Sequence, residues 1–257
     1  MVFRGWQRIC YKQTVRNAHV QMLAAIRKMK NRVVLILLVF GFQSYGQLIH
    51  DDSYLDLEFW KFKSELESVV LDRDTIRLRN MLADRILESN DGCGNPGCTK
   101  DEFIKYYFDE SSESSWDDMQ KILRFGFSQI EDKYPNSIVP HEKMIFQGPS
   151  YLEMIDTDNE LVILAEKVNI REKPDIKSKI IDQASFEKFN CDCNILTMTD
   201  TTYQRVDGIG WIEIKLDDGN IGYVASEFTS YDLIKEMTIA KIDGEWRIIS
   251  FYHAPGC

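Results

Sequence analysis

The stretch GWIEIKLDDGNIGYV, residues 210–224, decides the fold of this chain. Ile212, Ile214 and Leu216 alternate with Glu213 and Lys215, the period of a strand with one buried face. Asp218-Gly219 then supplies a pair suited to a tight hairpin turn, and Gly222-Tyr223-Val224 opens the return strand. Upstream, LVILAEKVNIRE (161–172) is rich in β-branched residues. Downstream, MTIAKIDGEWRIISFY (237–252) repeats the hairpin pattern, with its turn at Asp243-Gly244. Short strands joined by short loops imply a small barrel over 160–231, after which a separate C-terminal hairpin and tail over 232–257 end the sequence.

Ahead of the β-rich half the period changes. Leu55, Phe59, Phe62, Leu66 and Val69 recur in steps of four and three, as on one stripe of an amphipathic helix. After the polar break Asp72-Arg73-Asp74, the pattern predicts a second helix from Thr75 to about Leu87. Thr99 with Glu102 matches a capping box, and Ser115 with Asp118 approximates one. These predict helices over roughly 100–108 and 116–125, with Gly126 as a stop. Residues 50–130 thus read as a helical region. Pro135, Pro140 and Pro149 interrupt 131–159, which reads as a connecting segment with one short strand.

Charge is unevenly spread over the 257 residues. Residues 1–46 hold eight of the 31 Lys and Arg and none of the 41 Asp and Glu, so the remainder carries 23 basic against 41 acidic residues, a net of −18. So acidic a body repels phosphate backbones, which argues against a nucleic-acid partner. The asymmetry is explained by MKNRVVLILLVFGFQSYGQ (29–47): a basic start, the apolar run Val33–Phe42, and the small-x-small exit Ser44-Tyr45-Gly46. Ten residues are too few to span a bilayer, which takes about twenty. We therefore expect 1–46 to be leader and signal peptide, with Met29 as the true start and cleavage near Gln47. The expected location is periplasmic or secreted, with no stable transmembrane anchor after cleavage.

Export to an oxidising compartment makes disulfides the default for Cys93, Cys98, Cys191, Cys193 and Cys257. Gly-Asn-Pro-Gly between Cys93 and Cys98 can turn tightly enough to join them; Cys191 or Cys193 could reach Cys257. Four thiolates could instead hold zinc, but C-x4-C and C-x-C are not the usual paired spacings, and no metal or other cofactor is expected. The acidic run 91–102 lacks the glycine of a calcium loop, since Pro96 stands in its place. A papain-like peptidase needs a thiolate, a nearby His and an orienting group; the expected mature chain offers only His50, His141 and His253.

The order Val168-Asn169-Ile170-Arg171 with Pro174, Lys179-Ile180-Ile181, Gly210-Trp211, Asp218-Gly219 and Gly222-Tyr223-Val224 resembles the bacterial SH3 (SH3b) domains of extracytoplasmic proteins. The pattern departs from that family at Ser185–Phe189 and in the lengthened loop CDCNILTMTDTTY (191–203). A second resemblance, of FWKFKSELESVVLDRDTIRLRNML (59–82) and IDGEWRIISFY (242–252) to nuclear-transport-factor-like folds, would make the barrel an insertion. The expected class is therefore α+β: an N-terminal helical region, a small SH3-like β-barrel and a C-terminal β-hairpin. The first resemblance implies a non-enzymatic binding protein whose barrel takes a cell-wall peptide or an envelope protein. Asn169, Arg171, Tyr203, Trp211 and Tyr223 are the candidate ligand-binding residues, although strand aromatics such as Trp211 and Tyr223 also serve simply as packing. The competing reading is a cell-envelope hydrolase with its site in 50–159.

Overall fold

A computed structural model describes residues 48–88, 93, 97–108, 113–132, 140–192, 202–232 and 235–253. The expected leader, Cys193 and Cys257 lie outside the described residues. The chain is mixed α+β.

Asp56 starts helix α1 (Leu57–Asp72) by accepting from the backbone N–H groups of Glu58 (2.8 Å) and Phe59 (2.9 Å). The helix ends where Arg73 turns left-handed at φ 50°. Asp74 caps α2 (Thr75–Met81) in the same way. Helix α3 (Lys100–Tyr107) starts with the full capping box of Thr99 and Glu102. Helix α4 (Glu113–Arg124) is followed by Gly126 at φ +72°, the expected stop.

Two sequence expectations fail here. The second helix does not reach Leu87: it ends at Met81, and Leu82–Leu87 is a strand, β1. Its backbone pairs in parallel with residues at the far end of the chain, a partner that local periodicity cannot show. Helix α4 starts at Glu113, ahead of Ser115, so Ser115 is a buried helical residue rather than a cap. Residues 50–130 are accordingly not purely helical, because they hold β1, β2 (Cys98–Thr99) and β3 (Ser128–Glu131).

A six-stranded sheet, called the larger because the core on it is the larger of the two, takes in those three strands with β4 (Met144–Gly148), β12 (Lys235–Ile242) and β13 (Glu245–His253), in the order β2-β1-β13-β12-β4-β3. All neighbours are antiparallel except β1 with β13. Asp243 and Gly244 both have positive φ, 51° and 81°, as a two-residue hairpin turn requires. Phe59, Leu66 and Val69 of α1 pack with Phe103, Met119 and Ile122 of the other helices against Phe146, Met237, Ile239, Trp246, Ile248 and Phe251 of the sheet. Lys241 clamps the start of α1 to this sheet, bonding Asp56 (3.3 Å) and Glu58 (3.0 Å) while lying 5.0 Å from the Trp246 ring.

Between β4 and β12, which are hydrogen-bonded neighbours, the chain builds a second sheet. It comprises β5 (Glu160–Val162), β6 (Val168–Arg171), β7 (Ile180–Ala184), β8 (Lys188–Asn190), β9 (Tyr203–Val206), β10 (Ile209–Lys215) and β11 (Ile221–Ala225). The order is β5-β8-β10-β11-β6-β7, with β9 also on β10. One face supplies its own core from Leu161, Ile163, Val168, Ile170, Ala184, Ile212, Ile214 and Val224.

The run Leu161-Val162-Ile163-Leu164 joins the two sheets. Leu161 and Ile163 enter the small core, whereas Val162 and Leu164 enter the large one. Continuous apolarity in a strand that is buried on both faces follows directly. The Val162 N–H donates to Ser230 Oγ (3.0 Å) and the Leu164 N–H to the Phe228 carbonyl (2.7 Å).

Candidate functional site

Pairing places Arg171 of β6 beside Tyr223 of β11, and Tyr223 beside Glu213 of β10. Directly opposed residues on neighbouring strands point to the same side. Ile212, Ile214 and Val224 fill the small core, so the row Arg171, Tyr223, Glu213 faces away from it. The Tyr223 hydroxyl donates to Glu213 Oε2 at 3.0 Å. Burial and this carboxylate together push the Tyr223 phenol above its ordinary value, so it remains a neutral donor.

The loop after β6 is held shut by Arg171, whose Nη1 donates to the Ser178 carbonyl at 2.7 Å. Within it the Lys173 N–H donates to Ser178 Oγ (3.0 Å) and the Lys177 N–H to Asp175 Oδ1 (2.7 Å). Arg171 makes no ion pair among the described residues, and a guanidinium has further N–H donors beyond the one used here. Asn169, two residues back on the same face, accepts from Gln183 Nε2 at 2.7 Å.

Trp211 lies two residues before Glu213 on β10, paired with Ala225 and Gln204. It shares the outward face and yet is only 3% exposed. Its indole Nε1–H is buried and has no acceptor among the described residues. Tyr203 is not with the others: it pairs with Ile212, packs on the small core and lies tilted against Tyr231 at 5.4 Å between ring centres. The structure therefore gathers Asn169, Arg171, Trp211 and Tyr223 on one face and sets Tyr203 on the other. Glu213 escaped the sequence reading, although its place between Trp211 and Lys215 in an alternating strand puts it on that same face.

Elsewhere Cys93 and Cys98 form a disulfide, as expected, and Cys191 is also disulfide-bonded. Glu88 lies beside the first bridge, accepting from the Cys93 N–H (3.0 Å) and the Tyr107 hydroxyl. Their donor atoms lie within 4.8 Å of one another, but sulfurs joined to each other do not offer thiolates to a metal.

His50, Ser128 and Asp52 come together at the edge of the larger sheet. His50 Nε2 is 3.1 Å from Ser128 Oγ and 3.7 Å from Asp52 Oδ2. A relay needs the carboxylate on the other ring nitrogen, and here both groups meet Nε2. Ser128 Oγ itself donates to the Ser150 carbonyl at 3.1 Å. His141 instead pairs with Asp132 at 2.9 Å. A cleft of about 530 Å³ opens beside β1 and the β12–β13 turn, lined by Arg85, Lys100 and Arg247 with Asp84, Asp243 and Glu245.

No protein-family model, no curated protein and no solved structure matches this chain. Among the described residues no helix is long and apolar enough to cross a membrane.

Proposed function

We propose that residues 160–231 form an SH3-like barrel and that the protein is a secreted or periplasmic, non-enzymatic binding protein for a cell-wall peptide. The observation that carries this reading is the outward face itself: a tyrosine–glutamate pair beside a guanidinium and a buried indole N–H that, among the described residues, have no carboxylate and no acceptor respectively. A short peptide suits these groups. Its carboxylate would meet Arg171, and a carbonyl would accept from the Trp211 indole N–H, which binding must first uncover because it is buried in the unbound face. The loop closed by Arg171 and Ser178 keeps the face in one shape, which lowers the ordering cost of binding.

The reading is tested by co-sedimenting the purified protein with insoluble peptidoglycan. Wild type is expected in the pellet, while Trp211→Phe and Arg171→Gln, both verified as folded, stay in the supernatant. Wild type left in the supernatant would reject wall binding. An envelope protein would then be sought as the partner of the same face. The alternative, envelope hydrolysis within 50–159, would call for a relay that His50, Ser128 and Asp52 do not make.

A further inference from the structure

We propose that helix α1 pairs antiparallel with α1 of a second copy of the chain, with a two-fold axis at Ser64. This surface is separate from the barrel face and does not depend on its reading. One side of α1 packs on the larger sheet through Phe59, Leu66, Val69 and Val70. Its other side is apolar where a monomer's helix would be polar: Leu57 is 66% exposed, Trp60 51% and Leu71 69%.

The pattern of that face is self-complementary. At 100° per residue, Trp60, Leu71, Ser64, Leu57 and Ser68 fall within an arc of roughly 80°. The apolar residues sit at the two ends of the helix and the small serines in the middle. Antiparallel pairing about Ser64 lays Leu57 on the partner's Leu71, and lays Trp60 over the partner's Ser64 and Leu71. The small serines let the two backbones approach, and the indole fills the space beside them.

Charge fits the same register. Lys61 and Glu65 flank the apolar arc on one side, and neither makes an ion pair among the described residues. The two-fold axis brings each Lys61 to the partner's Glu65, twice per dimer. Asp72, which would otherwise face the partner's Glu58, is already held by Arg77 at 3.3 Å. A stable interface covers roughly 800 Å² per partner, more than a helix about 24 Å long provides alone. Tyr54, Leu55 and Ile76, just outside the two ends of α1 in sequence, are exposed as well and would supply the further apolar area.

The test is sedimentation equilibrium of the purified protein across a concentration series, with three sets of exposed, fold-neutral variants. Wild type is expected to reach twice the chain mass, and Trp60→Glu to remain a monomer. Lys61→Glu is expected to weaken dimerisation roughly fivefold, and adding Glu65→Lys to restore it. Under mild oxidation, Ser64→Cys is expected to cross-link as a dimer while Glu58→Cys, far from the axis, does not. A wild-type monomer throughout, a dimer indifferent to Trp60→Glu, or cross-linking through Glu58→Cys and not Ser64→Cys would each overturn the proposal. Monomeric protein that pellets with phosphatidylcholine vesicles through Trp60 would overturn it too, assigning the face to a lipid surface.

Discussion

A Cβ added to Gly222 would lie 2.4 Å from Ile170 Cγ2, inside the small core, where neither strand can give way cheaply. Gly222→Ala is therefore expected to destabilise the protein by about 1–3 kcal/mol in urea unfolding, with the overpacking felt directly beneath the candidate face. Asp56 acts at the same scale through its cap. Burial alone would raise its carboxyl; the N–H groups of Phe59 and Glu58 and the Lys241 ammonium outweigh this and hold it below the ordinary 3.8. A depressed folded value means that the stabilisation is whole above pH 3.8 and is lost as the pH falls through that lower value. Asp56→Ala is expected to cost about 1 kcal/mol at neutral pH, a deficit that narrows in acid. Denaturant midpoints of the two proteins at pH 7 and in acid measure both effects.

Among the elements, β2 owes its position to the Cys93–Cys98 bridge at the margin of the larger sheet. Closing so short a loop is worth about 2 kcal/mol, so Cys93→Ala with Cys98→Ala should lower stability by that amount and loosen α3 behind it. Amide hydrogen exchange in 98–107 would show the change. How far each element could be read from sequence depended on where its partner lies. The hairpins at Asp218-Gly219 and Asp243-Gly244, the caps at Thr99 and the stop at Gly126 are set within a few residues, and they appear where the local pattern puts them. Strand β1 is different: Leu82, Ala83 and Ile86 suit a helix face as well as a strand, and only β13, about 160 residues away, decides between them. The candidate face follows the same logic. Alternation alone puts Trp211, Glu213 and Tyr223 outside, whereas the burial of Trp211 and the turning of Tyr203 into the core come from packing between elements.

Across the whole molecule, the small sheet is threaded between two neighbouring strands of the large one, and Leu161–Leu164 serves both cores. Shared residues tie the two sheets into one cooperative unit. Ile163→Ala in the small core is expected to shift the midpoint of the Trp246 environment in the large one equally, and unfolding followed by near- and far-ultraviolet circular dichroism should give one coincident transition. Leu161–Leu164 thus join the large sheet to the sheet whose outward face is formed by β6, β10 and β11. The most direct test of that face is to follow the Trp211 indole N–H resonance by NMR during titration with a soluble muropeptide. A saturable shift of Trp211 and of nearby Tyr223 and Arg171 is expected, while the indole of Trp246, also buried and also without an acceptor among the described residues, stays in place. Shifts confined to residues outside this face, or none at all at saturating muropeptide, would contradict it.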